Sequence, residues 1–100
     1  MLIYNTTYLV ADRQYGPWIK WLLEVHIPFM LGCGFCNPQA AKILTADNEQ
    51  EGTSIAVQFQ IQDFHRLNIW DEEYAGTLLN ELSERFGSDV LSFTTLMELL

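Results

Sequence analysis

One segment of the chain alternates apolar and polar residues more cleanly than any other. In residues 53–62, apolar side chains occupy every second position, and mostly glutamines stand between them. A period of two predicts a β-strand with one buried face and one wetter face. The apolar set is Ile55, Val57, Phe59 and Ile61, and the intervening set is Ala56, Gln58, Gln60 and Gln62.

A helical period follows Pro17, a residue that suits the first position of a helix because its missing N–H costs nothing there. Pro28 interrupts this pattern, since it cannot donate a hydrogen bond to the carbonyl of Glu24. We therefore expect a kink at Pro28 and an end near Gly32 and Gly34. The apolar stripe of this first helix consists of Trp18, Trp21, Leu22, Val25 and Phe29.

A second helical stripe begins after Asp63, which fits a helix N-cap. Trp70-Asp71 marks a break in it, with Glu72 and Glu73 starting a fresh acidic first turn. Gly87 is placed to end the helix. The stripe consists of Phe64, Leu67, Tyr74, Leu78, Leu82 and Phe86.

Residues 2–10, 35–46 and 90–99 are predicted to form three further strands. Pro38 cannot serve a central strand, so the strand at 35–46 either lies at an edge of the sheet or begins after the proline. Residues 47–52 are polar and predict a hairpin turn. The resulting βαββαβ order predicts one α+β domain over residues 1–100, of ferredoxin-like topology. Right-handed crossovers give an antiparallel sheet in the spatial order 4-1-3-2, with both helices on one face.

The sheet face without helices is predicted to be partly buried, because the strands at 2–10 and 90–99 mix apolar and polar residues on both sides. A sheet with one wet face should alternate cleanly instead. We therefore expect a homodimer that packs sheet on sheet around a ligand pocket with Tyr4, Asn5, Gln58 and Gln60 as candidate lining. The alternative is a monomer whose exposed sheet is moderately apolar.

The charge of the chain argues against polyanionic partners. Thirteen acidic and five basic residues give a net charge of −8, which repels nucleic-acid phosphates and anionic membrane surfaces. No segment reaches the ~20 apolar residues that a membrane span needs, and the N-terminal residues do not resemble a signal peptide. The expected location is the cytoplasm, where thiols stay reduced.

Cys33 and Cys36 form a C-x-x-C motif. In thiol redox proteins the first cysteine of such a motif stands at a helix N-terminus, whereas here the motif follows a helix. As a zinc site it supplies two of the four ligands required. Two reduced structural cysteines are the favoured interpretation, with a redox pair or a metal site as alternatives, and no cofactor is expected.

His26 is the weak candidate for a catalytic residue. It lies near the predicted end of the first helix, where a histidine can cap a carbonyl or pack against apolar neighbours. The alternative is general acid–base chemistry near neutral pH. We expect His65 to lie on the surface, and the three tryptophans to be core or interface anchors.

Several segments together resemble a family of small bacterial proteins of unknown function. They are residues 4–7 (YNTT), Trp21 with residues 24–28 (EVHIP), residues 56–59 (AVQF), and residues 85–87 (RFG) leading to residues 93–96 (FTTL). The resemblance covers nearly the whole chain and implies a dimeric α+β barrel of the ferredoxin-like type. It implies no catalytic residues.

Two classes of function follow from these patterns. The first is a small, dimeric, non-enzymatic module that binds a small molecule or a protein through the helix-free sheet face. The second is a cofactor-independent enzyme, similar to a monooxygenase or an isomerase, that acts in the barrel cavity. The sequence names neither a substrate nor a pathway, because fold does not fix function.

Overall fold

The computed structural model describes residues 1–44 and 52–100. The four strands are β1 (Leu2–Val10), β2 (Cys36–Lys42), β3 (Thr53–Ile61) and β4 (Val90–Glu98). They form one antiparallel sheet in the order β2-β3-β1-β4, which confirms the predicted order. The predicted end of the second strand and the predicted turn at residues 47–52 fall largely outside the described residues.

Strand β2 lies at an edge, which confirms the first alternative for Pro38. The second alternative is wrong, because the strand begins at Cys36, before the proline. Its pairing with β3 shifts register between Cys36 and Gln39. Asn37, inside that irregularity, has a φ of 52° and donates a hydrogen bond from Nδ2 to Oε1 of Gln60 at 2.8 Å. Such a bulge accommodates a residue that cannot donate to the ladder.

The first helical segment runs continuously through three parts. They are α1 (Tyr15–Trp21), a π-helical turn (Leu22–His26) and α2 (Ile27–Gly32). The helix thus begins two residues before Pro17, and the distortion expected at Pro28 takes the form of the π-turn before it. Ile27 donates its N–H to the carbonyl of Leu22, five residues back. A wider turn there relieves the crowding between the Pro28 ring and the preceding carbonyls.

The second helical segment has the same construction. It consists of α3 (Phe64–Trp70), a π-helical turn (Asp71–Ala75) and α4 (Gly76–Phe86). The Asp63 carboxylate accepts a hydrogen bond from the Arg66 N–H at 2.9 Å, which is the N-cap that the sequence predicts. The π-turn begins at the predicted break, and Gly87, at a φ of 55°, follows the last helical residue.

Both helical segments pack on one face of the sheet, called here the helix-covered face. On β1 this face carries Leu2, Tyr4, Thr6, Tyr8 and Val10, because successive residues of a strand point to opposite sides. The core fills the space between this face and the helices. Its buried apolar members include Trp18, Trp21, Leu22, Met30, Phe35, Ile55, Val57, Phe59, Ile61, Leu67, Trp70, Leu82 and Phe86.

The opposite surface, called the helix-free face, carries Ile3, Asn5, Thr7 and Leu9 on β1. The apolar set predicted on the β3 segment is fully buried on the helix-covered face, while Gln58 and Gln60 are half-buried on the helix-free one. Strand β4 is covered on neither side beyond Val90. In the part of the chain that the structure describes, no helix has the length and apolar character of a bilayer span.

Candidate functional site

The structure separates the four residues that the sequence grouped in one pocket. Asn5 pairs in register with Gln58 on the helix-free face, and Gln60 pairs there with Ile3. Tyr4 lies on the other side, where its ring contacts Trp70 at a centroid distance of 5.3 Å. Because Tyr4 and Asn5 are neighbours in one strand, they cannot line the same pocket of one chain.

Tyr4 instead lines a cavity between β1, β4 and the helices, called here the sheet–helix cavity. Its volume is about 150 Å³. The lining has a polar side from the strands and the first π-turn, and a mixed side from the second helical segment. Its described lining residues are Tyr4, Thr6, Tyr8, His26, Trp70, Asp71, Ala75, Leu78, Leu79, Leu82, Ser92 and Thr94.

Both π-helical turns contribute to this lining, His26 from the first and Asp71 with Ala75 from the second. A π-turn inserts an extra residue into an α-helix and rotates the side chains that follow it, and such turns are frequent at functional sites. The two distortions that the sequence marks at Pro28 and at Trp70-Asp71 therefore border the same cavity.

His26 is buried, with 3% of its surface exposed. Its ring stacks on Trp21 at a centroid distance of 4.9 Å and an interplanar angle of 10°, and meets the ring of Phe59 edge-on. Burial among these rings lowers the pKa of His26 to about 4, because an apolar environment disfavours the charged form. The imidazole is therefore neutral at physiological pH.

The capping role considered for His26 is wrong. The helix does not end there, since α2 continues to Gly32. The Nδ1 atom of His26 is buried without a hydrogen-bond partner among the described residues. The packing role is confirmed by the stacking on Trp21. A buried imidazole nitrogen without a partner costs free energy, and because Nδ1 is itself enclosed by protein, a ligand would contact another part of the His26 ring, which borders the cavity.

Two threonines place a hydroxyl pair on the strand side of the cavity. Thr6 and Thr94 face each other across β1 and β4, and their Oγ1 atoms lie 3.0 Å apart. One hydroxyl donates to the other, and both also hydrogen-bond to the Tyr4 hydroxyl, so the pair keeps free lone pairs but no O–H donor that is clearly unused. Thr6 is buried, which is unusual for a polar residue of a strand that faces the core.

Two tyrosines complete the polar side. Burial raises the pKa of Tyr4, and the hydroxyls of Thr94 and Thr6 oppose part of that rise. Burial also raises the pKa of Tyr8, whose ring lies edge-on to His26. Both phenols therefore keep their protons at neutral pH and serve as neutral donors or acceptors.

Trp70 is the third aromatic residue of the lining. Its indole Nε1 is buried without a hydrogen-bond partner among the described residues, and the same holds for Trp18 and Trp21. All three tryptophans belong to the buried core, as the sequence predicted. Trp70 alone of the three also borders the cavity.

The cysteines lie outside this site. Both are free; Cys33 follows the end of α2 and Cys36 begins β2. Burial raises the pKa of the Cys33 thiol, which opposes formation of the reactive thiolate. Within residues 1–44 and 52–100, no three His, Cys, Asp or Glu side chains gather in a potential metal site. His65 is exposed on α3.

A larger and more open groove, of about 700 Å³, lies where β1 ends and β4 begins. Two of its three charged lining groups satisfy each other, since Arg13 forms an ion pair with Asp89. Hydrogen bonds from Arg13 and Gln14 lower the pKa of Asp89. The smaller cavity is the better candidate site because its polar groups retain unused hydrogen-bonding capacity.

Sequence reasoning found His26 and Tyr4 but missed Thr6, Tyr8, Trp70 and Thr94 as parts of one site. A signal was present in β1, where Thr6 stands between two tyrosines on the same face. A polar residue at such a position is a mark of a site when the face proves to be buried. The mixed pattern of β1 hid which face that was.

Solved structures with the same fold share little sequence with this chain. A Bacillus halodurans protein of the ethyl tert-butyl ether D family is 11% identical over 100% of both chains, with a TM-score of 0.69. A Deinococcus radiodurans protein named as a candidate antibiotic biosynthesis monooxygenase is 12% identical, with a TM-score of 0.71, over 100% of this chain and 93% of that one.

A third protein, from an uncultured marine organism, is described as a dimeric ferredoxin-like protein. It is 12% identical, with a TM-score of 0.66, over 99% of this chain and 94% of that one. These likenesses confirm the ferredoxin-like α+β fold. A comparison with curated proteins finds no match. The sequence profile of a domain of unknown function, DUF4286, matches residues 1–100, and the chain belongs to this family.

Proposed function

We propose that the protein is a homodimeric binding module that holds a small molecule in the sheet–helix cavity of each copy. The observation that carries the proposal is the lining of that cavity, where the hydroxyls of Thr6, Thr94 and Tyr4 form a hydrogen-bonded cluster beside the neutral imidazole of His26 and an apolar wall. Ligand sites in proteins combine an apolar wall with a few convergent polar groups in this way.

The helix-free face supports the dimer. Its apolar residues follow the β4 side, with Leu91, Phe93 and Met97 exposed beside the half-buried Ile3 and Leu9 of β1. Contiguous apolar surface of this kind marks an interface. Three strands of nine residues and one of seven, about 4.8 Å apart, cover a plane of roughly 540 Å² before side-chain relief is added. That is about two thirds of the ~800 Å² per partner of a standard interface.

The side-chain amides on the helix-free face can form hydrogen bonds across the same proposed dimer interface. Asn5, Gln58 and Gln60 stand beside the apolar strip, and Asn37 already donates to Gln60. In a two-fold interface each residue meets the same surface of the partner. We propose that Asn5 and Gln58 pair with groups of the second copy, which would satisfy them without a separate ligand.

Charge supports the choice of partners. The net charge of −8 disfavours nucleic acid and anionic membranes as ligands. The two free cysteines suit a reducing compartment, and we propose the cytoplasm as the location. A dimeric neighbour of the same fold agrees with the proposed assembly.

Native mass spectrometry of the purified protein tests both parts. We expect a species of twice the 11.5 kDa chain mass, and a small-molecule adduct that disappears on denaturation. A protein that remains at 11.5 kDa at micromolar concentration would contradict the dimer. A dimer without any adduct, and without affinity for added small molecules, would contradict the binding function.

An enzyme without a cofactor is the second candidate, because His26 borders the cavity and a neighbour of the fold is named as a candidate monooxygenase. The low pKa of His26 makes it a weak proton acceptor at neutral pH. Oxygen consumption with a single-ring hydroquinone distinguishes the candidates. We expect the same rate with wild type, His26→Phe and the surface control His65→Gln. A rate lost only in His26→Phe would establish the enzyme.

A further inference from the structure

The volume of the sheet–helix cavity limits the size of its occupant. About 150 Å³ is the size of an engineered apolar cavity that binds benzene. One six-membered ring with one substituent therefore fills it, whereas a fused polycyclic molecule would extend past the exposed lining residues Asp71, Leu79 and Thr94 into solvent. The lining favours an aromatic ring, because Tyr4, Trp70 and His26 offer edges and faces for T-shaped or offset contacts.

The polar groups of the lining favour a hydroxyl on that ring. The hydroxyls of Thr6, Thr94 and Tyr4 already hydrogen-bond to one another, so a ligand hydroxyl would join this cluster, and the neutral imidazole of His26 has one nitrogen that accepts. A ligand hydroxyl accepts with its oxygen and donates with its hydrogen. It can therefore accept from the threonine pair and donate to an imidazole or tyrosine acceptor at the same time.

The charges around the cavity exclude an ionised ligand. Among the described lining residues, Asp71 is the one charged group, and it is exposed at the rim. An anion would meet this carboxylate and no cation. A buried cation would lose its hydration while the nearest carboxylate stays in solvent. The neutral imidazole of His26 and the neutral tyrosine phenols carry no charge that would offset the desolvation of an anion or of a cation.

We infer that the ligand of the sheet–helix cavity is an uncharged, single-ring phenol, whose hydroxyl completes a hydrogen-bonded chain from the Thr6–Thr94 pair. This inference rests on the proposed binding function and names the ligand class of that site. The ring occupies the space beside Tyr4 and Trp70. The phenol hydroxyl donates a hydrogen bond to a neutral acceptor of the lining, and no covalent bond breaks.

Phenol and toluene form the deciding pair, because they have the same number of heavy atoms and differ in the hydroxyl. Calorimetry or NMR titration of the dimeric wild-type protein at pH 7 measures both affinities. The hydroxyl adds about one net hydrogen bond, because the lining hydroxyls already bond to one another, and this corresponds to a preference for phenol of roughly 2- to 10-fold. Benzoate and benzylamine supply the anionic and cationic arms, and we expect each to bind at least ~10-fold more weakly than phenol.

Two substitutions locate the hydroxyl. Thr6→Val keeps the side-chain shape and removes the hydroxyl, and we expect it to weaken phenol binding by roughly 3- to 10-fold with no effect on toluene. His26→Phe keeps the aromatic stack on Trp21 and removes the imidazole acceptor. It therefore tests the second proposed partner of the ligand hydroxyl independently of Thr6→Val. Thr7→Val, in the same strand on the helix-free face, is the matched control and should change neither affinity. Circular dichroism verifies that each variant is folded.

The failures are distinguishable. Equal affinities for toluene and phenol would overturn the phenol class and leave a binding cavity in place. Tighter binding of benzylamine would overturn the uncharged class in favour of a cation site. If none of the four compounds binds measurably but native mass spectrometry shows an adduct, the phenol class would also be overturned. If none of the four compounds binds and native mass spectrometry shows no adduct, the proposed binding function itself would be overturned.

Discussion

The two faces of the sheet carry opposite anomalies. The helix-covered face, which is buried, includes polar groups that packing does not need: Tyr4, Thr6 and Tyr8 on β1. The helix-free face, which lies open in a single copy, includes apolar groups that solvent does not favour, such as Phe93, 65% exposed. Buried hydroxyls indicate a site, and exposed apolar side chains indicate a partner.

This difference gives each face its own kind of test. A change on the helix-covered face should alter the stability of the single chain or its ligand binding. A change on the helix-free face should alter the association of two chains. Phe59 and Phe93 provide a direct comparison, because the same residue type lies on β3 with 1% of its surface exposed and on β4 with most of it exposed.

The largest effect is expected for Phe59→Ala. Phe59 contacts Phe35 and His26 in the core, so truncation removes buried surface and leaves a cavity. Such changes cost about 3–5 kcal/mol of unfolding free energy. Urea denaturation measures the loss. The control is Phe93→Ala at a concentration where the chain is monomeric, with an expected cost under about 1 kcal/mol. Equal costs would contradict the assignment of the two faces.

The second effect is a pH dependence that originates in His26. Its pKa is lowered from 6.5 to about 4 in the folded chain, so between these values the unfolded chain binds the extra proton. The resulting stability is fully present above pH 6.5, falls as the pH decreases, and is lost near pH 4. The difference of pKa values corresponds to about 3 kcal/mol.

His26→Phe isolates that contribution, because other groups of the chain also titrate at acid pH. We expect the unfolding free energy of the variant to fall less steeply between pH 6.5 and 4 than that of the wild type. His65→Gln changes the exposed histidine of α3 and should leave the wild-type slope intact. Parallel curves for wild type and His26→Phe would mean that His26 titrates normally in the folded chain.

The third effect belongs to the helix-free face. In the proposed dimer, Phe93 is buried in both copies, so Phe93→Ala should weaken association by on the order of 2 kcal/mol, about 30-fold. Sedimentation equilibrium measures the dissociation constant. Phe64→Ala, at an exposed position of α3, is the matched control. An unchanged dissociation constant for Phe93→Ala would place the interface elsewhere.

The smallest effect is expected for Thr6→Val in the absence of ligand. The substitution removes the hydrogen bond to Thr94 at nearly constant volume, which corresponds to about 1 kcal/mol of stability. Thermal unfolding compares it with Thr7→Val on the other face. A Thr6→Val variant as stable as the wild type, or more stable, would contradict a stabilising role for the Thr6–Thr94 hydrogen bond.

Much of the fold was predictable because local chemistry and tertiary position agree. The alternation of Ile55, Val57 and Phe59 with polar neighbours fixed the register of β3, since a slip by one residue would expose that whole set. Pro38 correctly assigned β2 to an edge. The helix distortions were also marked, by Pro28 and by the acidic residues after Trp70.

The site was less predictable for a physical reason. Both faces of β1 combine polar and apolar residues, so its sequence does not state which one meets the helices; the placement of β3 and the helices decides it. The sequence therefore groups Tyr4 and Asn5 in one predicted pocket, although Tyr4 lies on the helix-covered face and Asn5 on the helix-free face. For His26 the sequence leaves capping and packing open, because a proline two residues later usually ends a helix; the π-turn lets this helix continue, which removes the capping role.

NMR spectroscopy of the wild-type protein titrated with phenol tests the division between the two faces most directly. We expect the methyl resonances of Thr6 and Thr94 to shift and to saturate with ligand. The side-chain amide resonances of Asn5 and Gln58 should stay in place, while the diffusion coefficient remains that of a dimer. Shifts confined to Asn5 and Gln58, with Thr6 and Thr94 unaffected, would contradict the account and place the ligand on the helix-free face.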